Sequence, residues 1–530
     1  MDARESIARG ETALGIEFGS TNIKAVLTDK RGTVLATGNH GWENTLKDGI
    51  WTYPLTEIHE GLQDCYRSLR VSVEEKYGEK LTSIGAIGIS AMMHGYMAFD
   101  KDGNLLTDFQ TWRNSNTQEA ADELTELFQF NIPLRWTIAH IDQCILNQEE
   151  HVQHISYVTT LDSYIHGMLT GEKVTGIGDA SGIFPIDSET LDYDKDMMAK
   201  FDALLEKRAV PFRLRDILPK VLVAGDAAGK LTEEGAKLLD PTGTLKPGIP
   251  FCPPEGDAGT GMAATNSVAP RTGNVSAGTS TFAMVVLEKK LSKLYREIDM
   301  VTTPDGYPVA MSHANNGTSD LNAWVNIFKE FTELFGMSVD MGELFGKLYT
   351  NTLKGDKDCG GLLPYGYFSG EGITHLNEGR PLFVRRPDSS FTLANFMRAN
   401  IYTSLGAVKL GMDILLKEEH VKLDRIMGHG GLFKTKGVAQ NYLAAAVDAP
   451  VTVMATASEG GPWGMALLAL YMLYGKDRAS LAEFLDKEIF AELQGSTVNP
   501  DPKDVEGFEK FMQDYRDGIA IEKAAIESLK

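Results

Sequence analysis

No apolar run in this 530-residue chain approaches the ~20 residues that a membrane span needs. Cysteine is scarce. Cys65, Cys144, Cys252 and Cys359 are scattered without metal-site spacing, so they read as reduced thiols of a cytoplasmic protein. Positive charge is in deficit: 51 Lys and Arg stand against 73 Asp and Glu, a net charge of −22. That balance excludes nucleic acid and anionic membranes as expected partners. Any bound polyphosphate must then be held by local dipoles, a few cations and metal. The opening Met1–Ser6 is polar and acidic, unlike a secretory signal, and the acidic N-terminus offers no room for a basic helix-turn-helix. The chain also lacks low-complexity linkers and short-period repeats. It has no Gly-x-x-x-x-Gly-Lys-Ser/Thr, so the P-loop is missing. Gly259–Ala264 fits the dinucleotide pattern loosely, but no strand precedes it and no acidic residue follows at the required distance.

The length calls for two large domains, and the apolar and charged fractions are those of a globular protein. Ala13–Phe18, Ile23–Thr28 and Thr33–Thr37 read as three short strands separated by turns. Leu55, Ile58, Leu62, Cys65, Leu69 and Val73 form one apolar helix face, and Ile84–Ala91 reads as a buried strand. The second half begins alike, with a strand–turn–strand at Gly273–Val286 and a strand near Val309–Met311. Then come a long helix at Phe391–Leu416 and a strand entering a glycine loop at Ile426–Gly431. A helix at Val438–Val447, a strand at Val451–Met454 and a helix at Gly464–Tyr474 follow, with an outer helix from Asp501. The reading is two similar α/β halves joined near residues 260–270.

Two glycine turns carrying hydroxyls lie half a chain apart: Glu17-Phe18-Gly19-Ser20-Thr21-Asn22-Ile23-Lys24 and Gly278-Thr279-Ser280. Glycine lets a turn aim its amides at an anion, Ser and Thr add donors, and Lys24 adds charge. Either turn alone is an ordinary hairpin; the pair in matching strand contexts points to phosphate binding. Just before the second turn, Asp257 sits in Glu255-Gly256-Asp257-Ala258-Gly259, where it suits the proton acceptor of a phosphoryl transfer or the start of a helix. With an ordinary pKa of about 3.9 it is ionised at neutral pH. Glu17, an acid between Ile16 and Phe18, suits Mg²⁺, which prefers oxygen ligands and keeps several waters. Gly428–Lys434 lets backbone approach a flat ligand such as adenine, or simply turns a strand into a helix.

Together these stretches resemble the FGGY family of carbohydrate kinases, within the actin-like ATPase (ribonuclease H-like) superfamily, over about residues 13–475. Glu17–Thr21 resembles the first phosphate motif, Gly256-Asp257-Ala258 the catalytic-base motif and Gly278–Ser280 the second phosphate motif. Gly430-Gly431 with Gly460–Gly464 resembles the adenosine region, and Leu169–Glu172 with Asp179–Gly182 the mid-domain stretch. The resemblance implies an α/β, two-domain actin-like fold with a cleft between two similar halves, divided here as residues 1–262 and 263–530. It implies ATP and Mg²⁺ as cofactors, Asp257 as catalytic base, and Glu17 and Asp257 beside the metal. It implies nucleotide contacts from Gly19, Ser20, Thr21, Asn22, Lys24, Gly278, Thr279, Ser280, Gly430, Gly431 and Phe433. Ser90–Gly95 is most similar to the xylulose kinases of the family, which implies that Met93, His94, Trp112 and Asn114 join Asp257 around the sugar.

The chain departs from the family pattern at several points. Glu17 and Asn114 stand where Asp is usual, and Glu255 replaces a small residue. The Gly-Glu-Arg-x-Pro stretch appears only as Ser369–Thr374, and Thr137–Glu149 lacks the usual Lys and Trp. The expected function is an ATP-dependent kinase of a ketopentose. D-xylulose comes first, and L-ribulose or another ketose or polyol second. A non-catalytic sugar or nucleotide sensor on the same fold and a protein-partnered ATPase are the other classes. A small sugar and ATP are the expected partners, and a homodimer is kept open.

Overall fold

The computed structural model describes residues 2–454, 460–493 and 495–530. It contains two principal sheets. The first is built from β1 (Thr12–Phe18), β2 (Asn22–Asp29), β3 (Val34–Gly41), β4 (Ala86–Ala91) and the two-residue β5 (Glu255–Gly256), in the order β5-β4-β1-β2-β3. β1, β2 and β3 form an antiparallel meander, whereas β4 and β5 run parallel to β1. The second sheet holds β6 (Thr272–Ala277), β7 (Thr281–Val286), β8 (Asp299–Thr302), β9 (Pro308–Ala314), β10 (Arg425–His429), β11 (Val451–Met454) and β12 (Gly495–Val498). Its order is β8-β9-β7-β6-β10-β11-β12.

The subset β11-β10-β6-β7-β9 repeats the first sheet's order, with an antiparallel meander followed by parallel strands. This is the two-domain actin-like fold that the sequence led us to expect. The repeated order also places the two glycine turns equivalently: each joins the first two strands of its sheet, at the end where the parallel strands finish. Ligands of open α/β sheets gather at that end.

The expected strands and helices form with small shifts at their ends. The apolar face of helix Leu55–Tyr77 covers β2 and β3; Gly38 allows this, because a Cβ there would lie 2.3 Å from the Cys65 carbonyl oxygen. The helix expected over Gly464–Tyr474 runs from Gly460 to Leu470, followed by a wider π-helical turn at Tyr471–Gly475. It is apolar all round because it is buried all round. It leaves the second sheet and packs on β1, β4 and helix Asp257–Ala264. Gly15 and Gly464 make room for it: a Cβ on either would lie 2.0 Å from a carbonyl oxygen, of Pro462 and Thr260 respectively. Met465, Ala466 and Leu467 therefore share one core with Ala13 and Ala86 of the first sheet and with Met284, Val286 and Val309 of the second.

The C-terminal helix, Pro502–Ser528, docks through Phe508, Phe511, Met512 and Tyr515 and keeps its charged face outside. No helix among the described residues is long and apolar enough to cross a membrane.

Candidate active site

A cleft of about 980 Å³ lies between the halves. Asp257 sits on its wall because β5 pairs with the end of β4, Gly256 opposite Ala91, and the helix begins at the next residue. The same pairing brings Met93 alongside, and the Met93 N–H donates to Asp257 Oδ1 at 3.1 Å. A carboxylate in the first turn is also favoured by the helix dipole. Crowding by protein raises the Asp257 pKa above its ordinary value, while the Met93 and Ala258 N–H groups oppose that rise.

Glu17 lines the same cleft from the end of β1. Desolvation and the nearby Asp257 push its carboxyl up to about 8, although Lys24 offsets part of the rise. Lys24 stands opposite Glu17 in the β1–β2 ladder. Glu17 Oε2 is buried and has no hydrogen-bond partner. An orphaned carboxylate oxygen beside a second carboxylate is a place that a hard cation fits, because opposite charge relieves both the desolvation and the repulsion. Glu17 and Asp257 are therefore the residues that would hold Mg²⁺. Space for Glu17 comes from Gly461, where a Cβ would fall 1.4 Å from Oε2.

Both glycine turns are braced. In the first, Gly19 N–H donates to the Asn22 carbonyl at 2.9 Å. Trp42 Nε1 and Tyr53 Oη donate to the Gly19 and Ser20 carbonyls, each at 2.7 Å. In the second, Gly278 N–H donates to the Ser280 carbonyl at 2.9 Å, and the Gly317 and Thr318 N–H groups donate to Thr279 and Gly278, each at 2.8 Å. The segment around Asn316 is held in turn by Glu371, whose Oε2 accepts from both the backbone and the side chain of Asn316 at 3.2 Å. Ser369–Thr374 thus supports the second turn although it departs from the family pattern. Ser20 and Ser280 reach the cleft wall, whereas Gly19, Thr21, Asn22, Gly278 and Thr279 form the turns behind it.

His94 lies on the cleft wall with φ 73°, in the left-handed region, and Gly95 follows at φ 102°. Its ring is buried and stacks on Trp136 with centroids 6.3 Å apart. Desolvation, reinforced by Arg135, holds its pKa well below the ordinary value, so it offers a neutral imidazole. Gly182 of the mid-domain stretch packs against this ring; a Cβ there would lie 2.5 Å from Nδ1. Met93 and Trp112 also line the cleft, and Trp112 Nε1 donates to Ser20 Oγ at 3.3 Å.

Beyond the turn residues, five expected contacts lie outside the cleft lining: Asn114, Phe433, Lys24, Gly430 and Gly431. Asn114 is buried and its amide is spent on backbone. Its Oδ1 accepts from Trp51 N–H at 2.9 Å, and its Nδ2 donates to the Trp51 and Thr111 carbonyls at 2.8 and 3.0 Å. It therefore clamps two loops and leaves no amide group for a sugar. Phe433 packs into the second core, where Gly428 gives it room. His429, four residues earlier, lines the cleft instead. Lys24 is exposed and lies outside the cleft lining, so it acts on the site from across the hairpin.

The structure adds Asn131, Arg135, Arg296, Asp299 and His313, which carried no sequence signal. Arg135 and His313 line the cleft, and Arg135 pairs with Asp299 across the halves. Asn131 Nδ2 donates to the same Asp299 at 2.9 Å. Arg296 bridges to Asp122 at 3.0 Å and to Glu126 at 2.8 Å. Glu255 is buried beside Gly176, Gly178 and Gly259, whose missing side chains admit it, and its Oε2 accepts from Gly178 N–H at 3.3 Å. Desolvation raises its carboxyl to about 8.

Sequence comparison matches residues 12–262 to the N-terminal domain and residues 273–473 to the C-terminal domain of the FGGY family of carbohydrate kinases. A xylulose kinase of Lactococcus lactis is 22% identical over 521 residues, covering 95% of each chain. A glycerol kinase of Thermococcus kodakarensis is 23% identical over 368 residues, covering 64% of this chain and 66% of its own. Among solved structures, ligand-bound xylulose kinase from Lactobacillus acidophilus superposes with a TM-score of 0.78 at 18% identity. It covers 97% of this chain and 98% of its own.

Proposed function

The chain belongs to the FGGY family of carbohydrate kinases, and on that premise we propose that it transfers the γ-phosphate of ATP to a hydroxyl of a ketopentose, D-xylulose first and L-ribulose or another ketose or polyol as the alternative. The observation that carries this reading is the Asp257 carboxylate on the cleft wall, fixed by the Met93 N–H, with the neutral His94 beside it. The acceptor hydroxyl gives its proton to Asp257 as its oxygen bonds to the γ-phosphorus, and the bond from that phosphorus to the bridging oxygen breaks to release ADP. Asp257 opens the helix Asp257–Ala264 with its carboxylate held by the Met93 N–H on the cleft wall, which positions it for that transfer.

Phosphoryl transfer needs positioning and charge stabilisation more than covalent help from the protein. Ser20 and Ser280 bring hydroxyl donors to the cleft wall from opposite halves, where phosphate oxygens lie in this reading. Magnesium, when bound at Glu17 and Asp257, supplies positive charge to the phosphate oxygens. Arg135 with Asp299, and Arg296 with Asp122 and Glu126, tie the halves together around the cleft and help to exclude water.

The known relatives include kinases of different small polyols, so the acceptor is the point to test. ADP release is measured with ATP and Mg²⁺ across pentuloses, hexuloses, glycerol and sugar acids. The expected result is the highest kcat/KM with a ketopentose. Turnover confined to another acceptor class would overturn the proposed acceptor.

A further inference from the structure

Behind the His94 turn lies a cluster of side chains that the kinase chemistry does not use. Helix Thr137–Leu146 carries Cys144 in its last turn, and the 3-10 turn Glu150–His154 folds back towards it. The Cys144 thiol, a Glu149 carboxylate oxygen and a His151 ring nitrogen lie within 4.8 Å of one another. Glu149 Oε2 is 3.4 Å from His151 Nδ1, and the other ring nitrogen, Nε2, is 2.9 Å from the Tyr96 hydroxyl. Cys144 is buried, while Glu149 and His151 are partly exposed, so the cluster opens to solvent on one side. Glu149 and His151 follow Cys144 by five and seven residues, and the chain reversal after the helix, with Glu149 N–H donating to the Cys144 carbonyl at 3.0 Å, brings them to the thiol.

We propose that Cys144 Sγ, a Glu149 carboxylate oxygen and His151 Nδ1 form a binding site for a borderline-soft divalent cation of the zinc class. Tyr96 is the outer partner that fixes the imidazole, and solvent holds the fourth position. Thiolate, imidazole and carboxylate are the ligand types zinc takes, whereas Mg²⁺ and Ca²⁺ do not select a thiolate. Zinc bonds of about 2.0–2.3 Å set tetrahedral ligand separations of roughly 3.3–3.8 Å. The three ligand atoms, now within 4.8 Å of one another, have to close to that spacing when the cation binds. In the metal-bound form Nε2–H donates to the Tyr96 hydroxyl oxygen and Nδ1 keeps the lone pair, the usual outer-sphere arrangement of a metal-bound histidine. The C-terminal end of helix Thr137–Leu146 also favours positive charge. Binding breaks the Cys144 S–H bond and releases one proton to solvent as the S–metal bond forms.

The site would act on stability and on the His94 turn, not on the phosphoryl transfer itself. Tyr96 follows His94 by two residues. Thr137 Oγ1 donates to the Gly95 carbonyl at 2.7 Å, and His140 stacks on Tyr96 with centroids 6.2 Å apart.

The test uses the full-length protein after chelator dialysis, titrated with Co²⁺ alone. The expected result is one equivalent that produces a thiolate-to-cobalt charge-transfer band and tetrahedral d–d bands. Zn²⁺ displaces it and raises the melting temperature. Cys144→Ser abolishes the charge-transfer band, whereas Tyr96→Phe retains the band and weakens affinity about 10–100-fold. The pair Glu17 and Asp257 contains no thiol, so cobalt bound there gives no such band. Among the described residues no second cluster of three such ligands forms. Should Cys144→Ser fail to fold, Glu149→Gln and His151→Gln at the open side must each weaken Co²⁺ at least about 10-fold. A wild-type protein without the charge-transfer band, a band that survives Cys144→Ser, or affinity unchanged in both of those last variants would overturn the site. The cluster would then be only a hydrogen-bonded group.

Discussion

Gly461→Ala tests the link between the buried helix and the metal-holding residue. A Cβ at position 461 would lie 1.4 Å from Glu17 Oε2 and 2.5 Å from its carboxyl carbon. The helix is packed closely on β1 at Gly15 and on helix Asp257–Ala264 at Gly464, whereas the atoms that the methyl group meets are the far end of the flexible Glu17 side chain. The carboxylate must therefore move. An ordinary carbon–oxygen contact of about 3.5 Å requires a shift of roughly 2 Å. The open cleft receives it, and an off-rotamer side chain costs about 0.5–1.5 kcal/mol, so the fold survives. Function does not survive as well, since a misplacement of about 1 Å can cost about 100-fold. The expected outcome is a kcat at least ~100-fold lower at limiting Mg²⁺, about 2.7 kcal/mol of barrier, with a melting temperature lowered by only a few degrees. Coupled ADP release at graded Mg²⁺, alongside a thermal melt, measures both. Wild-type kcat and Mg²⁺ dependence in the folded variant would refute the packing argument.

Asp257→Asn keeps an oxygen to accept the Met93 N–H but removes the base. It should lower kcat by about 10²–10⁴ with little change in sugar KM, and near-full turnover in the folded variant would remove Asp257 as proton acceptor. Asn114→Asp restores the family's usual residue yet replaces two N–H donors to the Trp51 and Thr111 carbonyls with acceptors. It should destabilise by about 2–4 kcal/mol in denaturant unfolding, and a stable variant with altered sugar KM would return Asn114 to the sugar site. Glu509 braces the C-terminal helix through Lys409 at 2.9 Å and Lys417 at 2.8 Å. Partial burial raises its carboxyl, but those two lysines outweigh the burial and bring it from 4.5 down to about 2. A depressed folded pKa contributes stability above the unfolded value that is lost on acidification. Glu509→Gln should thus reduce stability at neutral pH and flatten its decline between about pH 4.5 and 2, seen as unfolding midpoints across that range. An unchanged pH profile would show that these ion pairs contribute nothing.

The repeated order of strands was legible because strand periodicity, glycine turns and hydroxyls recur locally in both halves. Asp257, Glu17, Ser20, Ser280, Met93, His94 and Trp112 were legible as well, and all reach the cleft. Asn114 misled because a motif position names a place in the chain, whereas the partner of an amide is whatever folding brings to it, here the Trp51 backbone. Phe433 misled because a glycine loop suggests an open surface, and Gly428 instead lets that ring fill the core. Arg135 and Asp299 carried no local pattern, since their meaning lies in meeting across the cleft.

Two α/β halves, two hydroxyl-bearing glycine turns and an acid just before the second of them can be read from the chain alone. Those features depend on residues near one another in the chain, where periodicity and turn chemistry act. Which of them share a cleft, what holds each one and which way each carboxyl pKa shifts follow from contacts between distant parts of the chain. Asp257 lies beside Met93, 164 positions away in sequence, because β5 pairs with β4. Glu17 is both orphaned and charge-stressed because desolvation and long-range Coulomb interaction depend on neighbours in space. Helix Gly460–Leu470 sets its position through Gly15 of β1 and its own Gly461 and Gly464, close approaches that no local pattern encodes.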